Sequence, residues 1–171
     1  ELPEGSSVLD IGAWDGFFSV EAKRSGAGRV VACDHFVWTG PEPHRTGEGF
    51  DRVMRATGLD IEKKVLPLDD VTVSSMGQFD CVLFNGIWYH IRNPLSVLDN
   101  VAEMATRRLT IETYLDLRDI NRPAMVYFPG EKRPNGPKNG WGPNAALIRA
   151  LLRDHGFPNV TFRYTPEHRE R

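Results

Sequence analysis

Val8-Leu9-Asp10-Ile11-Gly12-Ala13-Trp14-Asp15-Gly16-Phe17 is the stretch from which the rest of this 171-residue chain can be read. Its first half is a short apolar run closed by a glycine. Its second half leads into Phe17-Phe18-Ser19-Val20-Glu21-Ala22-Lys23-Arg24, where apolar residues recur at helical spacing until Gly26 stops them. The reading is strand, tight turn, helix. Arg29-Val30-Val31-Ala32-Cys33-Asp34 follows as a near-continuous β-branched run ending in an acid, the pattern of a strand buried on both faces. Strand, helix and strand in that order predict a parallel, doubly wound α/β sheet with right-handed crossovers.

The remaining chain extends the alternation. A Gly/Pro-rich loop around residues 39–44 precedes a helix expected from about Glu48 to Ala56. Lys64-Val65-Leu66-Pro67-Leu68 reads as a weak strand, which its proline assigns to an edge. Phe79-Asp80-Cys81-Val82-Leu83-Phe84 is a strong strand, and Pro94 then opens a helix carrying Leu95, Val97, Leu98, Val101 and Met104. Arg108 to Thr113 reads as a fifth strand and Asn159 to Tyr164 as a sixth, separated by a helix that starts at Pro143-Asn144 and stops at Gly156. Residues 114–142 are so dense in proline and glycine that they read as one long loop or lid. The whole is expected to be one domain.

Composition narrows the classes. The chain is 40% hydrophobic and 26% charged, which is globular rather than disordered or fibrous, and a net charge of -2 provides no global field for nucleic acid. Its apolar runs are four residues long, as in Cys81-Val82-Leu83-Phe84, against roughly 18 for a membrane span. Two cysteines make no disulfide framework, so the expected compartment is the cytoplasm. In the expected sheet Cys33 and Cys81 lie on strands separated by the first strand, roughly 9–10 Å apart and too far to join. The five histidines show no paired ligand spacing, and no metal is expected.

In a doubly wound sheet, ligands bind beyond the carboxyl ends of the strands. The turn from Asp10 to Gly16 lies there; Gly12 and Gly16 permit close backbone approach, and free amides at the helix start can face polar ligand atoms. Trp14 and Phe17 occupy positions where a dinucleotide fingerprint needs small residues, and no G-K-[ST] is present, so pyrophosphate ligands are disfavoured. A nucleoside ligand without pyrophosphate remains, beside the plainer reading of a turn that needs glycine for its own backbone. Asp34, at the end of the second strand, is suited to the two hydroxyls of a ribose. Asp70, after the third strand, is suited to an adenine amino group, although Asp69 and Asp70 also read as ordinary surface acids.

The stretch 8–17, with Asp34, Asp70 and Phe79-Asp80-Cys81-Val82-Leu83-Phe84-Asn85-Gly86, resembles the successive motifs of class I S-adenosylmethionine-dependent methyltransferases, a Rossmann-like fold. Within them, Gly86-Ile87-Trp88-Tyr89-His90-Ile91-Arg92-Asn93-Pro94-Leu95 resembles the tRNA wobble-uridine (carboxy)methyltransferase-like family, and the similarity continues through Glu112-Thr113, Tyr127-Phe128-Pro129-Gly130, Trp141-Gly142-Pro143-Asn144 and Glu167-His168-Arg169-Glu170-Arg171. The resemblance implies that Asp10, Gly12 and Trp14 line the methionine end of the cofactor, Asp34 the ribose, Asp70 the adenine and Asn85 the cofactor's open side. Ala13, Gly16, His35, Asp69 and Gly86 flank these positions and complete the expected cofactor set. This chain departs from the family by having Gly12-Ala13-Trp14 in place of G-x-G and Ile87-Trp88 in place of Val-Leu. The resemblance also implies a seventh strand, which is expected to lie beyond Arg171.

Methyl transfer from a sulfonium is an in-line displacement that mainly requires positioning, with a base where the acceptor must lose a proton. His90, beside Tyr89, is the candidate base; its alternative role is to brace the loop before Pro94. Trp88, Arg92, Tyr114 and Trp141 are candidates for the substrate pocket, and packing is the alternative for the two tryptophans. Arg118, Arg122, Lys132, Arg133 and Lys138 read as a solvated lid ahead of an anion clamp. The expected acceptor is a small molecule, with S-adenosylmethionine as cofactor. The alternative is tRNA with S-adenosylmethionine or its carboxylated form, the extra carboxylate falling to Arg171 and Tyr89. Carboxymethyl-transferring tRNA enzymes of that family carry an N-terminal domain as well, which with the acidic balance favours the small molecule.

Overall fold

A computed structural model describes residues 3–40, 45–129 and 140–164. The opening stretch folds as read: β1 (Ser7–Ile11), a left-handed turn, and α1 (Phe17–Arg24). Then follow β2 (Arg29–Asp34), α2 (Glu48–Thr57), β3 (Glu62–Val65), a 3-10 turn at Leu68–Asp70, the short α3 (Val73–Met76) and β4 (Phe79–Asn85). A second 3-10 turn at Trp88–His90 leads to α4 (Pro94–Met104) and β5 (Ala105–Glu112). By backbone contacts the chain divides into two compact units, Glu1–Thr113 and Tyr114–Arg171.

The first unit holds a parallel five-stranded sheet in the order β3-β2-β1-β4-β5, the Rossmann-like arrangement expected from the alternation. β1 is central, and Val8, Leu9, Val30, Val31, Val82 and Phe84 around it are essentially excluded from water. Such burial on both faces is why these strands read as unbroken apolar runs. Ile11 pairs with Cys33 on one side and Val8 with Cys81 on the other, so both cysteines are buried and free on strands flanking β1. α1 packs on β1 and β2, and α4 on β4 and β5. The edge assignment of the third strand holds but its extent does not: β3 ends at Val65, and Pro67 instead caps the following 3-10 turn. With exposed Glu62, Lys64 and Val65, β3 has the charged face that protects a sheet edge.

The second unit corrects two expectations. The segment read as one loop contains a hairpin, β6 (Met125–Tyr127) paired antiparallel with β7 (Trp141–Pro143). Strands of three residues, the second of them Trp-Gly-Pro, carry too little periodicity to stand out. The expected sixth strand, Asn159 to Tyr164, has no strand pairing. Its backbone is held instead by a side chain: Arg149 of α5 (Ala145–Asp154) donates to the Val160 carbonyl at 3.1 Å and lies 5.0 Å over the Phe162 ring. α5 begins where the sequence placed its start, and Asn144 caps it, its Oδ1 accepting the Leu147 amide at 2.8 Å.

Candidate functional site at the carboxyl ends of the strands

The carboxyl ends of β2, β1 and β4 converge on the turn after β1. Gly12 has φ +75° and Gly16 φ +83°, the left-handed region in which a side chain is disfavoured. A Cβ would also crowd its neighbours: on Gly12 it would lie 2.2 Å from Ile87 Cδ1, so that side chain would have to move, and on Gly16 it would lie 2.9 Å from the ring of buried Phe50. Both glycines are therefore favoured by the turn's own backbone, and Gly16 also by the ring packed against it. Three amides of the turn are spent within the fold: Gly12 and Ala13 donate to the Cys33 carbonyl at 2.7 and 3.2 Å and Trp14 donates to Asp34 Oδ2 at 3.1 Å. The turn is clamped onto the end of β2.

Asp34 is the clamp. Its other oxygen accepts the Val37 amide at 3.0 Å, and the residue is 7% exposed. Each carboxylate oxygen holds one backbone amide and retains a second lone pair. Two exposed aromatics belong to the same loops, Trp14 at 64% and Phe36 at 62%, and the Arg45 guanidinium lies 3.8 Å over the Phe36 ring. Trp14 itself is held at φ +49°, a strained backbone for a tryptophan, and its carbonyl accepts the indole N–H of Trp38 at 2.7 Å. Trp38, packed against Phe50 with ring centroids 4.8 Å apart, is a site-shaping residue that the sequence reading missed. Its loop position, beyond the last residue of a strand, has no periodic signal.

Asp10, the residue before Ile11 at the end of β1, is almost fully buried. Its carboxylate accepts the Ser19 hydroxyl at 2.6 Å and the Ser19 amide, capping α1 from outside the helix. Burial pushes its pKa up to about 6 against the lowering effect of those bonds. Asp69 and Asp70 are exposed on the 3-10 turn after β3, and His35 is exposed beside Asp34. Asn85 ends β4, with its Oδ1 buried and unpartnered, and Gly86 donates to the Glu112 carbonyl at 3.0 Å.

The substrate candidates separate. Trp88 is 1% exposed and donates its indole N–H to the Pro94 carbonyl at 2.8 Å, which places it in the packing rather than on a pocket wall. Tyr89 and His90 share the 3-10 turn with ring centroids 4.2 Å apart, and His90 and Arg92 are exposed. Tyr114 and Trp141 belong to the second unit. There Tyr114 donates to Asp116 at 3.4 Å, and Trp141 lies against Tyr127 with centroids 4.8 Å apart. Lys132, Arg133, Lys138 and Arg171 lie outside the described residues, as does the C-terminal motif 167–171. Among the described residues no cluster of His, Cys, Asp or Glu is placed to hold a metal ion, and no helix is long and apolar enough to cross a membrane.

Compared with known protein families, residues 1–161 match the methyltransferase domain. The chain belongs to the methyltransferase-domain family. This methyltransferase domain is 31% identical over 157 residues to the tRNA U34 carboxymethyltransferase of Shewanella loihica, covering 90% of the chain and 44% of that protein. It is 28% identical over 158 residues to the enzyme of the same name from Cronobacter sakazakii, covering 91% and 46%. The domain thus spans about half the length of these curated relatives. Among solved structures it is similar to coclaurine N-methyltransferase bound to N-methylheliamine and SAH, with a TM-score of 0.65 at 16% identity over 90% of this chain and 44% of that one. The N-terminal domain of EvdMO1 with SAH bound gives 0.61 at 20% identity, covering 88% and 64%. These likenesses show the fold of the methyltransferase domain.

Proposed function

We propose that this domain binds S-adenosylmethionine across the ends of β2, β1 and β4 and transfers its methyl group to a small-molecule acceptor. The observation that carries the reading is the Asp34 carboxylate at the end of β2: it holds two backbone amides, one of them that of exposed Trp14, and keeps a lone pair on each oxygen. Two free acceptor lone pairs on one carboxylate fit the two hydroxyls of a ribose. Asp34 binds the ribose, Asp70 takes the adenine amino group, and the β1 turn with Trp14 lines the methionine end. The cofactor supplies an electrophilic methyl group on a good leaving group. The work left to the chain is alignment, with His90 on the exposed turn after β4 accepting a proton where the acceptor loses one.

A second reading is supported by the similarity to tRNA U34 carboxymethyltransferases over nine-tenths of the chain. Here the acceptor is a wobble uridine and the cofactor is S-adenosylmethionine or its carboxylated form, with Tyr89 near the added carboxylate. Calorimetry tests what the readings share. S-adenosylhomocysteine is expected to bind and NADH not to, and the reverse pattern overturns both. A tRNA gel shift over a salt series separates them, since a backbone-tracking complex weakens steeply as salt rises.

A further inference from the structure

Trp14 keeps a left-handed backbone at φ +49° although it carries a large side chain, and both of its backbone hydrogen-bonding groups are taken by side chains from outside the turn. Its N–H donates to Asp34 Oδ2 at 3.1 Å, and its carbonyl accepts the indole N–H of Trp38 at 2.7 Å. A residue with a side chain is disfavoured in this region and stays there only where its surroundings over-determine it. Here the two ends of one short stretch do so: Asp34, the last residue of β2, takes the N–H, and Trp38 takes the carbonyl. The consequence is at the surface, because a residue's φ sets the direction in which its side chain leaves the backbone. Trp14 is exposed, and the tryptophan that fixes it is buried.

Trp38 is itself held from behind. Its ring packs on Phe50 of α2, and the Lys63 ammonium of β3 lies 4.9 Å from the Trp38 ring and 5.4 Å from the Phe50 ring while donating to Asp51 of α2 at 2.7 Å. The Phe50 ring also fills the space that a Cβ on Gly16 would need, so one buried aromatic pair meets the β1 turn at both Trp14 and Gly16. Stacking on Phe50 and the cation over the ring would be served by any aromatic at 38. The bond to the Trp14 carbonyl is served only by the indole N–H. Resting on the cofactor reading above, in which Trp14 lines the methionine end, we propose that Trp38 is a positioning residue for S-adenosylmethionine. Its N–H holds the Trp14 carbonyl, and through it the backbone that aims the exposed Trp14 ring.

Trp38→Phe keeps an aromatic ring on Phe50 and removes the N–H. S-adenosylhomocysteine affinity, read by calorimetry, is expected to fall about tenfold. In a Trp14→Gly background the same substitution is expected to change affinity by less than about twofold, because glycine takes positive φ freely and no indole remains at 14 to aim. Equal losses in the two backgrounds show that Trp38 acts on the fold at large and overturn the proposal, as does unchanged affinity in Trp38→Phe alone. The wild-type protein supplies a second measurement that needs no variant at 38. By NMR the Trp38 indole N–H is expected to exchange with solvent more slowly than that of exposed Trp14, and saturating S-adenosylhomocysteine is expected to slow it further by about tenfold, since coupling between a bond and a ligand is reciprocal. No further slowing with the ligand bound overturns the proposal. Wild-type protein that does not bind S-adenosylhomocysteine strikes the cofactor reading instead; exchange in the free protein still decides whether Trp38 holds the turn, and a Trp38 N–H as fast as that of Trp14 shows that it does not.

Discussion

Asp10 shows how one buried side chain sets a pH dependence. In the folded chain its carboxyl is pushed up to about 6 by burial, against 3.8 for the free group. Between those values the folded state holds a proton that the unfolded state has released, so stability falls as pH rises from about 4 to 6 and then levels. Asp10→Asn keeps an oxygen for the Ser19 hydroxyl and removes the charge. Urea titrations are expected to show it more stable than wild type by on the order of 2–3 kcal/mol at pH 8, with the gain gone near pH 4. Trp14 tests stored strain, since its φ of +49° is kept by Trp14→Ala and relieved by Trp14→Gly. The glycine variant is expected to be the more stable of the two by about 1 kcal/mol in the same assay, and both to lose S-adenosylhomocysteine affinity. The places of Asp34, Asn85 and the glycine turn at the strand ends were legible in the sequence because each apolar run stops at or beside them. Ile87 and Trp38 were not, since what matters about each is a contact across the fold.

Elements formed where their caps and periods said they would, and failed where pairing was needed. α4 starts at Pro94 and α5 behind Asn144 because proline at the first helical position and asparagine at the cap are local signals. Asn144 does more than cap: besides Leu147 it accepts the Ala124 amide at 3.2 Å and donates to the Ile120 and Arg122 carbonyls, both at 2.8 Å, while 2% exposed. One side chain thus ties the segment before β6 to the start of α5. Asn144→Ala is expected to cost about 3 kcal/mol and to speed amide exchange in residues 120–129 and in the first turn of α5, ahead of β1 and β4. Rapid exchange throughout the chain instead would show that this junction supports more than its own unit. The strand expected at 159–164 has suitable residues but no strand pairing among the described residues, and its carbonyl at Val160 accepts from Arg149. Propensity proposes a strand; a partner's open edge makes one.

At the scale of the whole molecule, a ligand that binds the folded chain alone raises its stability by mass action. S-adenosylhomocysteine at about one hundred times its dissociation constant is expected to raise the melting temperature by about 5–10 °C, and NADH at the same concentration to leave it in place. Scanning fluorimetry reads both, and a shift with NADH and none with S-adenosylhomocysteine would reverse the functional reading. The parallel sheet, its central strand, the edge position of β3 and the family resemblance were all present in residue order. Burial on both faces forces continuous apolar runs, and the short range of turn and cap chemistry keeps their ends local. The Asp34 clamp on the turn, the fill of Ile87 over Gly12, the burial of Trp88 and the Trp38 bond to the Trp14 carbonyl came from the fold. Each depends on atoms brought together from different strands and loops, and no spacing along the chain encodes the distance between them.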